Sequence, residues 1–397
     1  MSEHFFAPCP RGLETFLADE LTSLGAVEAR AVGGGVAFRG DWDVAYRANL
    51  WSRLATRILY RMVEGPYASE DDVYKLARRA SWDGFFSPDL TMRVYVTAIK
   101  SPLKSLEYIT LRIKDAVCDV FRESAGKRPT IDTREPDVRI HAFLTADRAT
   151  LYLDTSGDPL YQRGLRQKTV DAPLKENLAA GLLAAAGWTP DQALFDPMCG
   201  SGTILLEAAL IATHTAPGAR RSFSFELLKN YRGKEWLAMK KAEQAGRRSV
   251  EANSRNSADA AAPIRLFGAD NDPVAYRATL ANLDRAGLLP LVDLREGDIL
   301  DAIAPAESGV IVCNPPYGVR LLEDETMAAF YPPLGSALKR NFAGWNCWFL
   351  SADTRLPKGV GLKPFRKTPL FNGNLECRLY GFQMVAGSNR DKAPKDH

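Results

Sequence analysis

Four short apolar runs in the second half of the chain each end in a turn that carries an acidic or amide side chain. The runs end at Asp196, Asp270, Asp298 and Asn314. Apolar strands alternating with helical patterns predict a parallel sheet, and the carboxyl ends of parallel strands meet at one edge. The pattern therefore predicts an α/β fold with a doubly wound, mostly parallel sheet and a ligand site along that edge.

The first of these turns places two glycines, Gly200 and Gly202, between a strand and a helix. Such glycines let a ligand approach the backbone closely. A third glycine is missing, which argues against a dinucleotide fingerprint, and the acid at the strand end would repel a pyrophosphate. Asp196 suits an ammonium group, and Asp270 suits ribose hydroxyls. S-adenosylmethionine carries both groups, so we predict it as the cofactor.

The fourth turn has the sequence Cys-Asn-Pro-Pro-Tyr-Gly over residues 313–318. The prolines hold Asn314 and Pro315 in extended geometry. The side-chain oxygen of Asn314 and the carbonyl of Pro315 then form a rigid acceptor pair beside the ring of Tyr317. This arrangement suits a planar group with an exocyclic amine. Taken alone, a proline turn that ends a strand explains the same residues equally well.

The first 65 residues show a β-α-β-β-α-β order, which is typical of a ferredoxin-like unit. Basic residues cluster between about 57 and 128, where they could pair with a phosphate backbone. The formal charge of +3 permits a polyanionic partner, but composition alone favours ordinary solvated charges. A polar segment at 213–263 predicts either a structured excursion or a partly disordered flap.

Other features exclude several classes of protein and site. The six cysteines show no CxxC pair, which argues against a disulfide framework and a structural metal site. The N-terminus lacks a signal peptide and no apolar run reaches membrane-spanning length, so we expect a cytoplasmic protein. A cysteine could act as a covalent nucleophile, but an amine that receives a group from the cofactor needs no covalent activation. We therefore interpret Cys199 and Cys313 as packing residues. We expect Pro332-Pro333 to break or kink the start of a helix over 328–342.

The motifs together resemble a known family. Residues 195–203 and 314–317 resemble the class I methyltransferases that modify exocyclic amines. The segments 11–14, 51–55, 154–158 and 173–178 resemble the RlmL group, THUMP-domain methyltransferases that make N2-methylguanine in bacterial large-subunit (23S) rRNA. Some members carry a second methyltransferase domain at the C-terminus. This chain stops at His397, so no second activity is predicted.

The resemblance implies a Rossmann-like class I methyltransferase domain over residues 157–386, preceded by a ferredoxin-like domain (1–65) and a THUMP RNA-binding domain (66–156), with a disordered tail at 387–397. It implies an S-adenosylmethionine-dependent rRNA (guanine-N2-)-methyltransferase with RNA as partner. Three alternatives stay open: a tRNA guanine-N2 methyltransferase, a DNA adenine-N6 methyltransferase, and a non-catalytic RNA-binding assembly factor.

These arguments predict three sets of site residues and no metal ligand. The catalytic set is Asn314, Pro315, Pro316 and Tyr317. The cofactor-binding set is Asn177, Asp196, Pro197, Gly200, Ser201, Gly202, Thr203, Asp270, Asn271, Asp298 and Ile299. The RNA-binding set is Arg57, Lys100, Lys104, Arg112, Lys127, Arg128, Arg163 and Arg166.

Overall fold

The computed structural model describes residues 2–165, 174–247, 264–315 and 324–385. The chain divides into two compact units. The first unit comprises residues 1–163 and 216–245, and the second comprises residues 164–215 and 246–397. Arg166, Pro316, Tyr317 and the predicted tail at 387–397 lie outside the described residues.

The first unit is built on a seven-stranded sheet with the strand order β2-β3-β1-β4-β7-β6-β5. Strand β4 joins its two halves, because Leu59 pairs with Phe6 of β1 on one side and with Asp154 of β7 on the other. The predicted β-α-β-β-α-β order of the first 65 residues is confirmed. The elements are β1 (Glu3–Pro8), α1 (Glu14–Ser23), β2 (Val27–Val32), β3 (Gly35–Gly40), α2 (Trp42–Trp51), β4 (Leu59–Pro66), α3 (Glu70–Arg78), α4 (Trp82–Phe85), β5 (Met92–Ala98), α5 (Leu106–Ala125), β6 (Val138–Leu144) and β7 (Arg148–Asp154).

Residues 216–245 belong to the first unit, although they interrupt the sequence of the second. They contain a 3-10 turn (Ser224–Leu227) and most of helix α8 (Gly233–Gly246). The Phe225 ring packs 4.5 Å from Tyr46 of α2, and Trp236 is 1% exposed. The described part of the predicted 213–263 insertion is therefore a structured excursion that completes the core of the first unit.

The second unit contains the predicted parallel sheet. Its strand order is β10-β9-β8-β11-β12-β14-β13. The first five strands are parallel, and β14 runs antiparallel to both β12 and β13. The elements are α6 (Glu176–Ala186), β8 (Leu194–Asp196), α7 (Thr203–Ala212), β9 (Leu266–Asp270), α9 (Pro273–Ala286), a 3-10 turn (Leu289–Leu291), β10 (Val292–Glu296), β11 (Gly309–Cys313), α10 (Asp324–Asn341), β12 (Trp345–Ser351), α11 (Leu356–Gly359), β13 (Arg366–Asn372) and β14 (Leu375–Gln383).

Of the expected break or kink at Pro332-Pro333, the break is wrong and the kink stays a prediction. Helix α10 runs through both prolines, although each removes a backbone donor and crowds the preceding turn. Tyr331, Leu334 and Leu338, on both sides of the pair, are almost fully buried in the core of the second unit. We infer that the burial of this apolar face outweighs the cost of the two prolines.

The described ranges contain neither a membrane-spanning helix nor a cluster of metal ligands. Within these ranges no helix has the length and apolar character needed to cross a membrane. No group of three His, Cys, Asp or Glu side chains there is arranged to hold a metal ion.

Candidate active site

The glycine turn at the end of β8 has a backbone that only glycine adopts readily. Gly200 and Gly202 have φ angles of +60° and +79°, in the left-handed region. Gly202 is also the N-cap of α7. A Cβ atom at Gly202 would lie 2.7 Å from Cγ2 of Thr279, so a side chain there is excluded by both conformation and space.

Helix α9 clamps this turn through two side chains that were not predicted. Thr279 Oγ1 donates a 2.7 Å hydrogen bond to the Gly200 carbonyl, and Asn282 Nδ2 donates a 3.1 Å bond to the Ser201 carbonyl. Both side chains are fully buried. Their sequence signal is two polar residues three positions apart on the buried face of an amphipathic helix, where polar groups need partners.

Asp196, at the end of β8, is the most unusual group of the site. It is 1% exposed, and its Oδ1 atom has no hydrogen-bond partner among the described residues. Burial and the nearby negative charge of Asp270 raise its pKa to about 8. The Cys313 thiol contacts the same carboxyl group. An incoming cation would give this buried Oδ1 atom a partner, as the predicted ammonium contact requires.

Asp270 ties the second strand end to the glycine turn. Its Oδ2 accepts a 2.8 Å hydrogen bond from the Gly200 N–H, and its Oδ1 accepts one of 3.0 Å from the Asp272 N–H. Burial raises the pKa of Asp270. Each oxygen retains one acceptor direction, so the carboxylate can still receive the two hydroxyls of a ribose.

The third strand end joins the same network. Asn271 Nδ2 donates a 2.9 Å hydrogen bond to Asp298 Oδ2, and Asp298 Oδ1 accepts one of 2.9 Å from the Leu300 N–H. A cavity of about 180 Å³ opens beside Asp298, with Phe195 and Phe267 among its apolar walls. A carboxylate at the rim of an apolar cavity suits a flat heterocycle with polar edges.

The remaining predicted cofactor residues are buried in the second unit. Pro197 is buried, Ser201 and Thr203 are less than 5% exposed, and Ile299 is 1% exposed within the apolar core. Asn177 lies on α6 and is 1% exposed. For these residues the predicted cofactor contacts stay predictions.

Asn314 follows directly after β11. Its Oδ1 atom is buried and accepts no hydrogen bond from any described residue, and Pro315 beside it is buried. Strand β11 pairs with β8, which ends at Asp196. The acceptor half of the predicted amine site is thus present on the strand next to the acid. The stacking half, Pro316 and Tyr317, lies outside the described residues.

The two cysteines of the site are buried, and burial raises the pKa of both thiols well above the usual range. A thiolate nucleophile is therefore disfavoured. The Cys199 Sγ lies 3.6 Å from Thr279 Oγ1, and the Cys313 thiol contacts Asp196. Both thiols touch polar groups in addition to filling space.

The predicted RNA-binding set separates into exposed and internal residues. Lys100, Lys104, Lys127 and Arg128 are exposed. Lys127 pairs with Asp89. Of Arg166 the structure shows nothing, because it lies outside the described residues.

Three arginines of that set are engaged by the fold of the first unit. Arg112 pairs with Asp71 at 3.0 Å and lies 4.3 Å over the Tyr74 ring. Arg57 forms a 2.5 Å ion pair with the fully buried Asp154.

The predicted RNA contact of Arg163 is wrong. It is 2% exposed, and its guanidinium donates to the carbonyls of Leu160 and Arg53. These bonds hold the chain where it leaves the first unit, so Arg163 does not present its charge to RNA.

Residues 163–381 match the family of the RMKL-like methyltransferase domain. The chain belongs to this family. Residues 4–59 match the RlmL ferredoxin-like domain and residues 67–154 match the THUMP domain. The resemblance and the fold class predicted from the sequence are therefore confirmed.

Family members of known name are similar over almost the whole chain. The Ribosomal RNA large subunit methyltransferase K/L of Methylococcus capsulatus is 39% identical over 97% of this chain and 52% of its own length. The chain thus spans about half the length of such K/L relatives. A Synechocystis protein named "Putative RNA methyltransferase slr0064" is 36% identical over 96% of both chains.

Among solved structures, SMU.472 in complex with SAH, the demethylated form of the predicted cofactor, superposes with a TM-score of 0.86. It is 27% identical and covers 97% of this chain and 99% of its own. The similarity includes both units of this chain, since nearly all of each protein is matched.

Proposed function

We propose that this protein transfers a methyl group from S-adenosylmethionine to the exocyclic N2 amine of a guanine in RNA, namely in large-subunit (23S) rRNA. The observation that carries the proposal is the Oδ1 atom of Asn314, which is buried, has no hydrogen-bond partner among the described residues, and follows the strand next to Asp196. An amine donor is the group that such an acceptor lacks. The names of the K/L relatives supply the rRNA class.

The residues present fit the cofactor. When bound, S-adenosylmethionine supplies an electrophilic methyl group on a sulfonium. Asp196 would receive its ammonium group, since the carboxyl is buried and its Oδ1 atom has no partner among the described residues. Asp270 would accept the ribose hydroxyls with the acceptor directions that Gly200 and Asp272 leave open. The complex of the similar protein SMU.472 with SAH supports the class of cofactor.

Asn314 and Pro315 would act by orienting the target amine. A guanine N2 is a poor nucleophile because its lone pair is delocalised into the ring. Hydrogen bonds to the Asn314 oxygen and the Pro315 carbonyl would aim the nitrogen at the methyl group, and positioning of this kind supplies a large part of a rate enhancement. The target base must leave its stack to reach the site, with Tyr317 as the proposed stacking surface. Solvent would accept the proton after transfer.

The domain boundaries of the proposal are a ferredoxin-like domain (1–65), a THUMP RNA-binding domain (66–156) and the methyltransferase domain (157–386), of which residues 157–163 and 216–245 belong to the first compact unit. The first two would hold the RNA while the third performs the transfer. We place the reaction in the cytoplasm, where rRNA is made in bacteria.

Nucleoside analysis tests this proposal. The protein is incubated with labelled S-adenosylmethionine and, separately, with unmodified 23S rRNA, tRNA and DNA, and the labelled nucleoside is identified after digestion. We expect N2-methylguanosine in 23S rRNA. Label in N6-methyladenosine would contradict the base assignment, because Asn314 could also accept an adenine amine. Label only in DNA would contradict the assignment to RNA. Label in tRNA alone would contradict the rRNA assignment, and cofactor binding without any transfer would contradict the enzyme.

A further inference from the structure

One face of the seven-stranded sheet in the first unit carries a row of rings and cations. Side chains alternate between the two faces of a strand, and the register places Tyr95, His141, Tyr152 and Arg61 side by side across β5, β6, β7 and β4. All four are partly exposed. Residues of the opposite parity, such as Ile140 and Leu153, are fully buried.

The rings of this row, which we call the ring row (Tyr95, His141, Tyr152 and Phe6), pack against one another in two pairs. The Tyr95 and His141 rings are stacked, with centroids 5.0 Å apart and planes 13° apart. The Phe6 and Tyr152 rings have centroids 6.0 Å apart. The Arg93 guanidinium lies 4.6 Å over the Tyr95 ring.

The helices pack on the other face. Phe5 and Tyr60 point away from the ring row, and their rings lie 6.0 Å and 5.2 Å from Trp42 of α2. On the ring-row face the His141 and Arg61 side chains retain 23% and 32% exposure. The rings are thus held by the sheet and still partly open to a ligand.

Positive charge predominates around the rings. Arg57 and His141 approach the buried Asp154, and Arg61 and Arg148 share Glu64. Arg139 pairs with Asp158. Arg93 has no carboxylate partner among the described residues. These pairings leave five arginines against three carboxylates, so the face complements a polyanion.

We propose that the ring-row face binds a single-stranded segment of RNA, with a base taking the place of the Arg93 guanidinium on the Tyr95 ring and with arginines on the phosphates. Partly open sheets that carry aromatic side chains recognise unpaired RNA bases in this manner. This inference rests on the proposed function, since it assigns the RNA to one surface of the first unit. This face shares Arg57 with the predicted RNA-binding set, but it does not include the exposed members of that set, which are Lys100, Lys104, Lys127 and Arg128.

Binding of a single-stranded oligoribonucleotide of about ten nucleotides to the full chain tests the proposal by fluorescence anisotropy. Tyr95→Leu should weaken binding at least about five-fold, the factor that corresponds to the loss of about 1 kcal/mol of stacking. Tyr95→Phe should bind like the wild type, since it keeps the ring. Arg122→Gln, on the exposed side of α5, is the matched surface control.

Arg93→Gln gives a second test that leaves the ring intact. The slope of log affinity against log salt should fall by about 0.7, the value for one lost phosphate contact on a single strand. Thermal unfolding of each variant shows whether it is folded.

Each of the following results would overturn the proposal: wild-type-like binding by both Tyr95→Leu and Arg93→Gln, no binding of the oligonucleotide by the wild type, or a loss confined to the double variant Lys100→Gln/Lys104→Gln. A duplex of the same sequence that binds more tightly than the single strand would assign the face to duplex RNA and would also overturn it. Failure of the proposed function is distinct, because it appears as absent methyl transfer by the wild type even when the oligonucleotide binds.

Discussion

The Gly200 N–H donates a 2.8 Å hydrogen bond to Asp270 Oδ2. This bond links the turn after β8 to the end of β9, so the two strand ends that form the candidate cofactor site are fixed to each other. The carbonyl of the same glycine is held by Thr279. The shape of the glycine turn therefore depends on residues of β9 and α9, far away in sequence.

Replacement of Thr279 by valine should loosen this turn. Thr279→Val keeps the shape of the side chain but leaves the Gly200 carbonyl without its donor, which costs about 1–3 kcal/mol when the group is buried. We expect weaker binding of S-adenosylhomocysteine by calorimetry, whereas Thr279→Ser should bind normally because it keeps the hydroxyl. Equal affinities for the valine variant and the wild type would show that the bond does not shape the site.

Two glycine substitutions separate backbone strain from steric conflict. Gly202 and Gly187 both have left-handed backbones, with φ of +79° and +68°, but a Cβ atom would meet neighbouring atoms only at Gly202. Gly187→Ala should cost about 1 kcal/mol. Gly202→Ala should lower the free energy of unfolding further and abolish cofactor binding. Similar losses in the two variants, measured by chemical denaturation, would refute the contact with Thr279.

Ionised Asp196 should lower the free energy of unfolding while it favours cofactor binding. Its pKa is about 8 in the folded protein and about 4 in an unfolded chain. The folded state thus holds the proton more tightly, and the free energy of unfolding should fall as pH rises from about 4 to about 8.

Asp196→Asn removes this titration and should be more stable than the wild type at pH 8, by several kcal/mol, since each of the roughly four pKa units corresponds to about 1.4 kcal/mol, while losing cofactor affinity. Denaturant melts of the two proteins without cofactor, at pH 5 and pH 8, measure the difference. A stability gap that does not widen between these pH values would contradict the raised pKa.

The insertion should contribute to the stability of the first unit. The Trp236 ring packs edge-on against Phe225 at 5.0 Å and is 1% exposed. Trp236→Ala should lower the free energy of unfolding by about 3–5 kcal/mol. Leu237→Ala, next in sequence but 58% exposed, should change it by less than about 0.5 kcal/mol. Equal effects would mean that residues 216–245 are not part of that core.

The sequence predicts the local features of this protein well, because they depend on short-range physics. The local pattern predicted the β-α-β-β-α-β order of the first 65 residues, which the structure has. The acids and the amide at four strand ends gave the edge where the site lies, since parallel strands end together.

Features that depend on tertiary packing could not be predicted from the same patterns. The helix through Pro332 and Pro333 exists because its apolar face is buried, and a local rule does not include that burial. Arg163 resembled any exposed arginine until its guanidinium was seen on two carbonyls. The role of Thr279 and Asn282 depends on the Gly200 and Ser201 carbonyls, which are about 80 positions away in the sequence and contact them only in the folded protein.

The most direct test of the account is single-turnover methyl transfer by Asn314→Ala. The central claim is that the buried oxygen of Asn314 orients the target amine. With 23S rRNA as acceptor, we expect the rate to fall at least about 100-fold, as for other preorganised polar contacts, while S-adenosylhomocysteine binds as to the wild type. Asn346→Ala, at the start of neighbouring strand β12, should keep the rate. A near-wild-type rate for Asn314→Ala with intact cofactor binding would contradict the claim.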